Sequence, residues 1–60
     1  MYYFIAYYVD MHTNKKTSKA INFDGQFFEN EKEIYMHAMA MAYDLKEDHE
    51  LFDNLQFVAC

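Results

Sequence analysis

The sequence predicts an α+β fold: a single ββαβ domain over residues 1–60, with a three-stranded antiparallel sheet in the order 2-1-3 and one helix packed on one face. Three observations predict it. The chain opens on an unbroken aromatic and β-branched run, Tyr2 to Met11. Apolar residues recur with helical spacing from Glu31 to about Asp48. Two shorter runs, Thr17 to Phe23 and Leu55 to Cys60, have the alternation of strands.

The first run has no breaker until the polar stretch His12-Thr13-Asn14-Lys15-Lys16, which suits a hairpin connection. Both of its faces are apolar. Tyr3, Ile5, Tyr7 and Val9 point one way and Tyr2, Phe4, Ala6 and Tyr8 the other, the pattern of a central strand. The second strand sets Thr17, Lys19, Ile21 and Phe23 against Ser18, Ala20 and Asn22. Its polarity fits a sheet edge, where Lys19 would discourage further pairing. Asp24-Gly25 supplies a turn, with the single glycine of the chain where a positive φ would be tolerated.

Asn30 is the expected N-cap of the helix, with Glu33 three residues later returning the bond. Glu29, Glu31 and Glu33 sit near the positive end of the helix dipole. The helix carries two apolar stripes on nearly opposite sides: Ile34, Ala38, Met41 and Leu45, and Met36, Met39, Ala40 and Tyr43. Past Asp48 polarity rises, Asp53-Asn54 reads as a turn, and Leu55, Phe57 and Ala59 share one face of the last strand.

A hairpin followed by a right-handed helical crossover returns the last strand beside the first and leaves the most apolar strand central. The expected covered face is that of Tyr3, Ile5, Tyr7 and Val9, with Ile34, Ala38, Met41 and Leu45 packing on Ile5, Val9, Ile21 and Phe57. That arrangement leaves Tyr2, Phe4 and Tyr8 without a cover.

A chain of 60 residues buries only roughly 60% of the surface its unfolded form exposes, so self-association would help it. One helix stripe needs a partner, which points to a homo-oligomer. Cys60 is the single cysteine and cannot form an internal disulfide, so a reducing cytosol is the expected setting. Met1 to Val9 has neither the basic segment nor the cleavage site of an export signal, and no run is long enough to cross a bilayer.

Charge narrows the partners. The chain has no Arg, and five Lys face ten carboxylates, eight of them between Glu29 and Asp53, for a net charge of −5. Binding nucleic acid draws on Lys and Arg to release condensed counterions, so DNA and RNA are not expected ligands. A protein with a basic surface is, and Glu47, Asp48 and Glu50 form the candidate acidic face.

The aromatic opening strand Tyr-Tyr-Phe-Ile-Ala-Tyr-Tyr-Val, the polar hairpin, the second strand, the acidic helix and the terminal strand resemble very small strand-strand-helix-strand proteins encoded by bacteriophages. The resemblance is one of layout and carries no motif or functional residue. It implies a setting: small acidic phage proteins include inhibitors that occlude host nucleic-acid enzymes or bacterial defence proteins, here in the host cytoplasm.

No catalytic or metal signature accompanies this. Glu33, His37, Asp44 and Asp48 fall along one helix edge, a feasible ligand spacing that a solvated polar edge produces equally well. His49 and Cys60 could be imagined as base and thiol, yet nothing in the sequence orients them. A phosphate cradle and an oxyanion device are both missing. The reading is a non-enzymatic protein-interaction module, without metal or cofactor, that inhibits a host protein. Its candidate interface is Tyr2, Phe4, Tyr8, Met36, Met39, Ala40 and Tyr43. Two other readings stand beside it: an oligomeric sponge whose aromatic residues enclose a small nucleotide-like ligand, and a purely structural subunit.

Overall fold

The computed structural model describes residues 1–26 and 28–60 and contains β1 (Tyr2–Asp10), β2 (Lys16–Phe23), α1 (Glu31–Leu45) and β3 (Glu50–Ala59). The strands form one sheet in the order β2-β1-β3, antiparallel at both pairings, so the layout is the expected ββαβ. The hairpin closes on Asp10, whose carboxylate accepts the N–H groups of His12 (2.8 Å) and Thr13 (3.2 Å). Asn14 takes the left-handed conformation at φ 59°, which its short polar side chain tolerates.

At the helix entry the Asn30 side chain accepts the Glu33 N–H at 3.0 Å. The Glu33 carboxylate returns the bond to the Glu29 N–H at 2.9 Å, one residue ahead of the usual capping-box target. Gly25 has no positive φ. It is buried at a turn in which the Asp24 carboxylate accepts the Gln26 N–H at 3.0 Å, and a Cβ there would overlap the ring of Tyr2, so the glycine provides room for an aromatic side chain rather than a positive φ.

Two boundaries differ from expectation. The helix stops at Leu45, three residues before Asp48, because the next residues are recruited elsewhere: Lys46 turns extended, and its ammonium donates to the carbonyls of Glu47 (3.2 Å) and Glu50 (2.9 Å). β3 starts at Glu50 rather than Leu55. Asp53-Asn54 is not a turn, for the pairing steps from Tyr7 with Asn54 to Tyr8 with Phe52 and leaves Asp53 as an extra residue in the strand. A second register shift lies between Tyr3 and Phe4.

The helix covers the sheet face opposite to the expected one. The core is Phe4, Ala6 and Tyr8 of β1, Ile21 of β2, Leu55 of β3, and Ile34, Ala38 and Ala42 of α1. The register explains the choice, because Phe4 stands beside Ile21 and Phe57, and Ala6 beside Leu55. Ile5 and Tyr7 instead stand beside Ala20 and Ser18 on one side and Gln56 and Asn54 on the other, and helix burial there would enclose polar side chains. Ala6, Ala38 and Ala42 have no exposed surface, so helix and sheet approach closely at this central point. On the helix, Ile34 and Ala38 are buried as expected, Met41 is half-buried, and Ala42 replaces Leu45, which is exposed.

Candidate interaction surfaces

The helix sits over the sheet with an open groove on its β3 side. The floor is Phe4, and the walls are Ile34, Tyr35 and Met36 of α1 facing Tyr2, Phe57 and Cys60. The Phe4 ring meets Tyr35 at 6.3 Å and Phe57 at 5.4 Å, both edge to face. The groove encloses about 780 Å³, and among the described residues Glu31 and Lys32 supply its charges. Such a volume and apolar lining belong to the range of binding clefts.

Farther along the same seam Tyr43 lies against Phe52 at 5.0 Å. Met36, Ala40 and Tyr43 of the outer helix stripe are exposed, while Met39 leans onto the core. Tyr35, Met36, Tyr43 and Phe57 keep 44%, 59%, 54% and 50% of their surface, too much large apolar area in one strip to be scattered surface residues.

The sheet half of the candidate interface needs correction. Phe4 and Tyr8 are core residues beneath the helix, and Tyr2 is half-buried against Phe23. The Tyr8 hydroxyl donates to the carbonyl of Ala42 at 2.5 Å, and the Lys19 ammonium lies 4.8 Å from the centre of its ring. Burial raises the Tyr8 phenol above its ordinary pKa. The face left without a cover is that of Tyr3, Ile5, Tyr7 and Val9.

The acidic face also loses a member. Glu47 and Asp48 are exposed, but Glu50 is buried. One of its oxygens accepts from Lys19 Nζ at 2.7 Å and from the Glu47 N–H at 2.9 Å, and the other accepts from the Thr17 hydroxyl at 3.2 Å. The Lys19 hydrogen bond, aided by the Glu47 N–H, holds the Glu50 carboxyl at about 2, and the same pairing raises the Lys19 pKa. Lys19 is thus an inward tether between the two outer strands rather than an edge guard.

Ligand atoms of Glu47, His49 and Glu50 lie within 4.8 Å of one another. A metal ion there would compete with Lys19, Thr17 and the Glu47 N–H for oxygens already in use, so the cluster is described better by its own hydrogen bonds. Glu33 serves the helix cap, and His37 packs between Phe23 (4.7 Å) and Phe28 (5.0 Å). His49 lies beside Asp10 and Glu47 at one end of the sheet, whereas Cys60 follows Ala59, the partner of Tyr3, at the other. The strands hold these two apart.

Sequence reasoning missed Tyr35 and Phe57 as groove walls. The signal was present for Phe57, an apolar residue on a second edge strand that, unlike β2, carries no lysine. No helix among the described residues is long and apolar enough to cross a membrane. No protein-family model, curated protein or solved structure matches this chain.

Proposed function

We propose that the protein is a non-enzymatic interaction module that recognises a target protein through the seam between α1 and β3. The observation that carries this is the strip formed by Tyr35, Met36, Tyr43 and Phe57, each about half exposed, continuous at one end with a groove of about 780 Å³. Aromatic and methionine side chains around a recess are the composition of binding hot spots. Exposed Glu47 and Asp48 lie beyond the helix end, so a target with an apolar anchor and basic flanks fits. Inhibition of a host or bacterial defence protein, the setting implied by the phage-like layout, is the specific form of this proposal.

Sequestration of a small molecule is the second reading, and the groove favours it by size. Lys32 is the one cation on the lining among the described residues, and Glu31 offsets it, so a neutral aromatic ligand suits the groove better than a nucleotide-like anion.

Photo-crosslinking from position 36 in bacteria, followed by mass spectrometry, tests the first reading. One dominant protein adduct is expected, and Tyr35→Lys or Phe57→Lys should abolish it while the fold is retained. Adducts spread over abundant proteins and unaffected by these substitutions would refute recognition through the seam.

A further inference from the structure

We propose that the open face of the sheet binds a second copy of this chain, forming a homodimer with the two sheets stacked face to face and both helices outside. The face consists of Tyr3, Ile5, Tyr7 and Val9 of β1, flanked by their register partners. These are Asn22, Ala20, Ser18 and Lys16 on β2 and Ala59, Gln56, Asn54 and Leu51 on β3. Tyr3 and Leu51 are exposed, and Ile5, Tyr7 and Val9 are covered only in part by their neighbours. The surface does not belong to the seam assigned to the target, because the helix lies on the other side of the sheet.

Charge selects the occupant. The molecule carries −5, from ten carboxylates against five Lys. Among these twelve positions Lys16 at the rim is the only charged residue, and the exposed bulge residue Asp53, set between Phe52 and Asn54, adds one carboxylate, so the face is close to neutral. A basic partner finds Asp53 alone to pair with here, against the like charge of Lys16. A nucleic acid finds a single cation for its phosphates, and base stacking on Tyr3 and Tyr7 would lack the backbone contacts on which affinity depends. A second copy of the same face meets neutral amides, hydroxyls and apolar groups, and its Lys16 and Asp53, on opposite edge strands, balance those of the first copy. The Tyr7 hydroxyl is already satisfied by the Gln56 carbonyl oxygen at 3.0 Å, so the ring can be covered without orphaning its polar end.

Area sets the strength. Strands of nine and ten residues at ~3.3 Å per residue run about 30 Å, and three strands ~4.8 Å apart present a width of roughly 14 Å. Each copy then offers on the order of 400 Å² of flat face, and side-chain relief takes the total above roughly 1,000 Å², where specific but weak interfaces begin. A reversible dimer, isologous about a two-fold axis with sheets about 10 Å apart, is the expected product. Dimerisation would also hide the apolar area that so short a chain cannot bury alone.

Sedimentation equilibrium from 5 to 500 μM, combined with amide NMR spectra over the same range, tests this. Wild type should pass from monomer to dimer, with concentration-dependent shifts concentrated on residues 3, 5, 7, 9, 18, 20, 54 and 56. Tyr3→Lys and Leu51→Lys, both at exposed positions, should weaken association at least tenfold, and Met36→Lys on the helix seam should leave it unchanged. A wild-type monomer at 500 μM would overturn the proposal. So would a dimer whose shifts fall on α1, or one that Met36→Lys dissolves. The NMR map decides the matter even if a lysine variant fails to fold, and none of these outcomes depends on the target-binding seam.

Discussion

The ammonium of Lys19 and the carboxylate of Glu50, 2.7 Å apart, join the two outer strands of the sheet across the middle one. Lys19 also donates to the Leu45 carbonyl at 2.6 Å, near the helix C-terminus. One cation therefore ties together β2, β3 and α1 at the end of the sheet where the apolar core runs out and Tyr8 is covered by polar contacts. Breaking one partner leaves the other without its match in a poorly solvated position, so each single change should be costly.

The first prediction follows from the direction of these shifts. Glu50 is depressed from 4.5 to about 2, so its stabilising contribution is complete above the unfolded value and is lost as pH falls from about 4.5 through 2. Lys19 is raised above 10.5, and its contribution is complete below that value and lost only as pH rises past it. Glu50→Gln should lower Tm at pH 7 and flatten its acid limb between pH 4.5 and 2. Thermal unfolding followed by circular dichroism at a series of pH values would show it. Parallel wild-type and variant curves would mean that Glu50 is not anchored as described.

The second prediction concerns Gly25. Its backbone would accept an L-residue, so Gly25→Ala should fail for lack of space against Tyr2 and not from strain in φ. A cost of about 1–3 kcal/mol is the usual range for overpacking. In a double-mutant cycle, Tyr2→Ala should remove most of the penalty, since it removes the ring that the new methyl meets. Additive effects in chemical denaturation would exclude that contact as the cause.

Third, the helix face that packs can be told from the one that does not. Ile34→Ala should cost about 2–5 kcal/mol because Ile34 is buried in the core, whereas exposed Leu45→Ala should cost well under about 1 kcal/mol. Urea midpoints of the two variants provide the comparison. Equal losses would return Leu45 to the core.

Strand order, the Asn30 cap and the central place of β1 were legible because each rests on a local signal: an apolar run, a capping residue, an alternation. The covered face was not, since both faces of β1 are apolar and single-strand periodicity has no means of choosing. The choice lay in the hairpin register. Pairing Tyr2 with Phe23 puts Phe4 beside Ile21, and the small number of turn residues after Asp10 carries that information. Glu50 was misread for a different reason. An acidic residue in an acidic stretch looks solvated until Lys19, 31 positions away, is seen to meet it. The Asp53-Asn54 pair has turn chemistry, but Phe52 on one side and Leu55 on the other reach the inner face only if the strand continues through a bulge.

The last prediction tests the polar cover over the core. Among the described residues Tyr8 and Ile21 are the largest fully buried side chains, and the Tyr8 hydroxyl donates to the carbonyl of Ala42 while Lys19 sits above its ring. Tyr8→Phe keeps the ring and the cation contact but removes the donor, so it should cost about 0.5–1.5 kcal/mol, the net value of one hydrogen bond. Tyr8→Ala should cost much more, since it also opens a cavity under α1. Because burial raises the phenol above 10.0, the unfolded chain ionises first, and wild type should lose stability as pH rises through about 10. Tyr8→Phe should lose less over that interval. Unfolding midpoints at pH 8 and 10.5 measure both effects, and a Phe variant with the same alkaline loss as wild type would assign that loss to Lys19 instead.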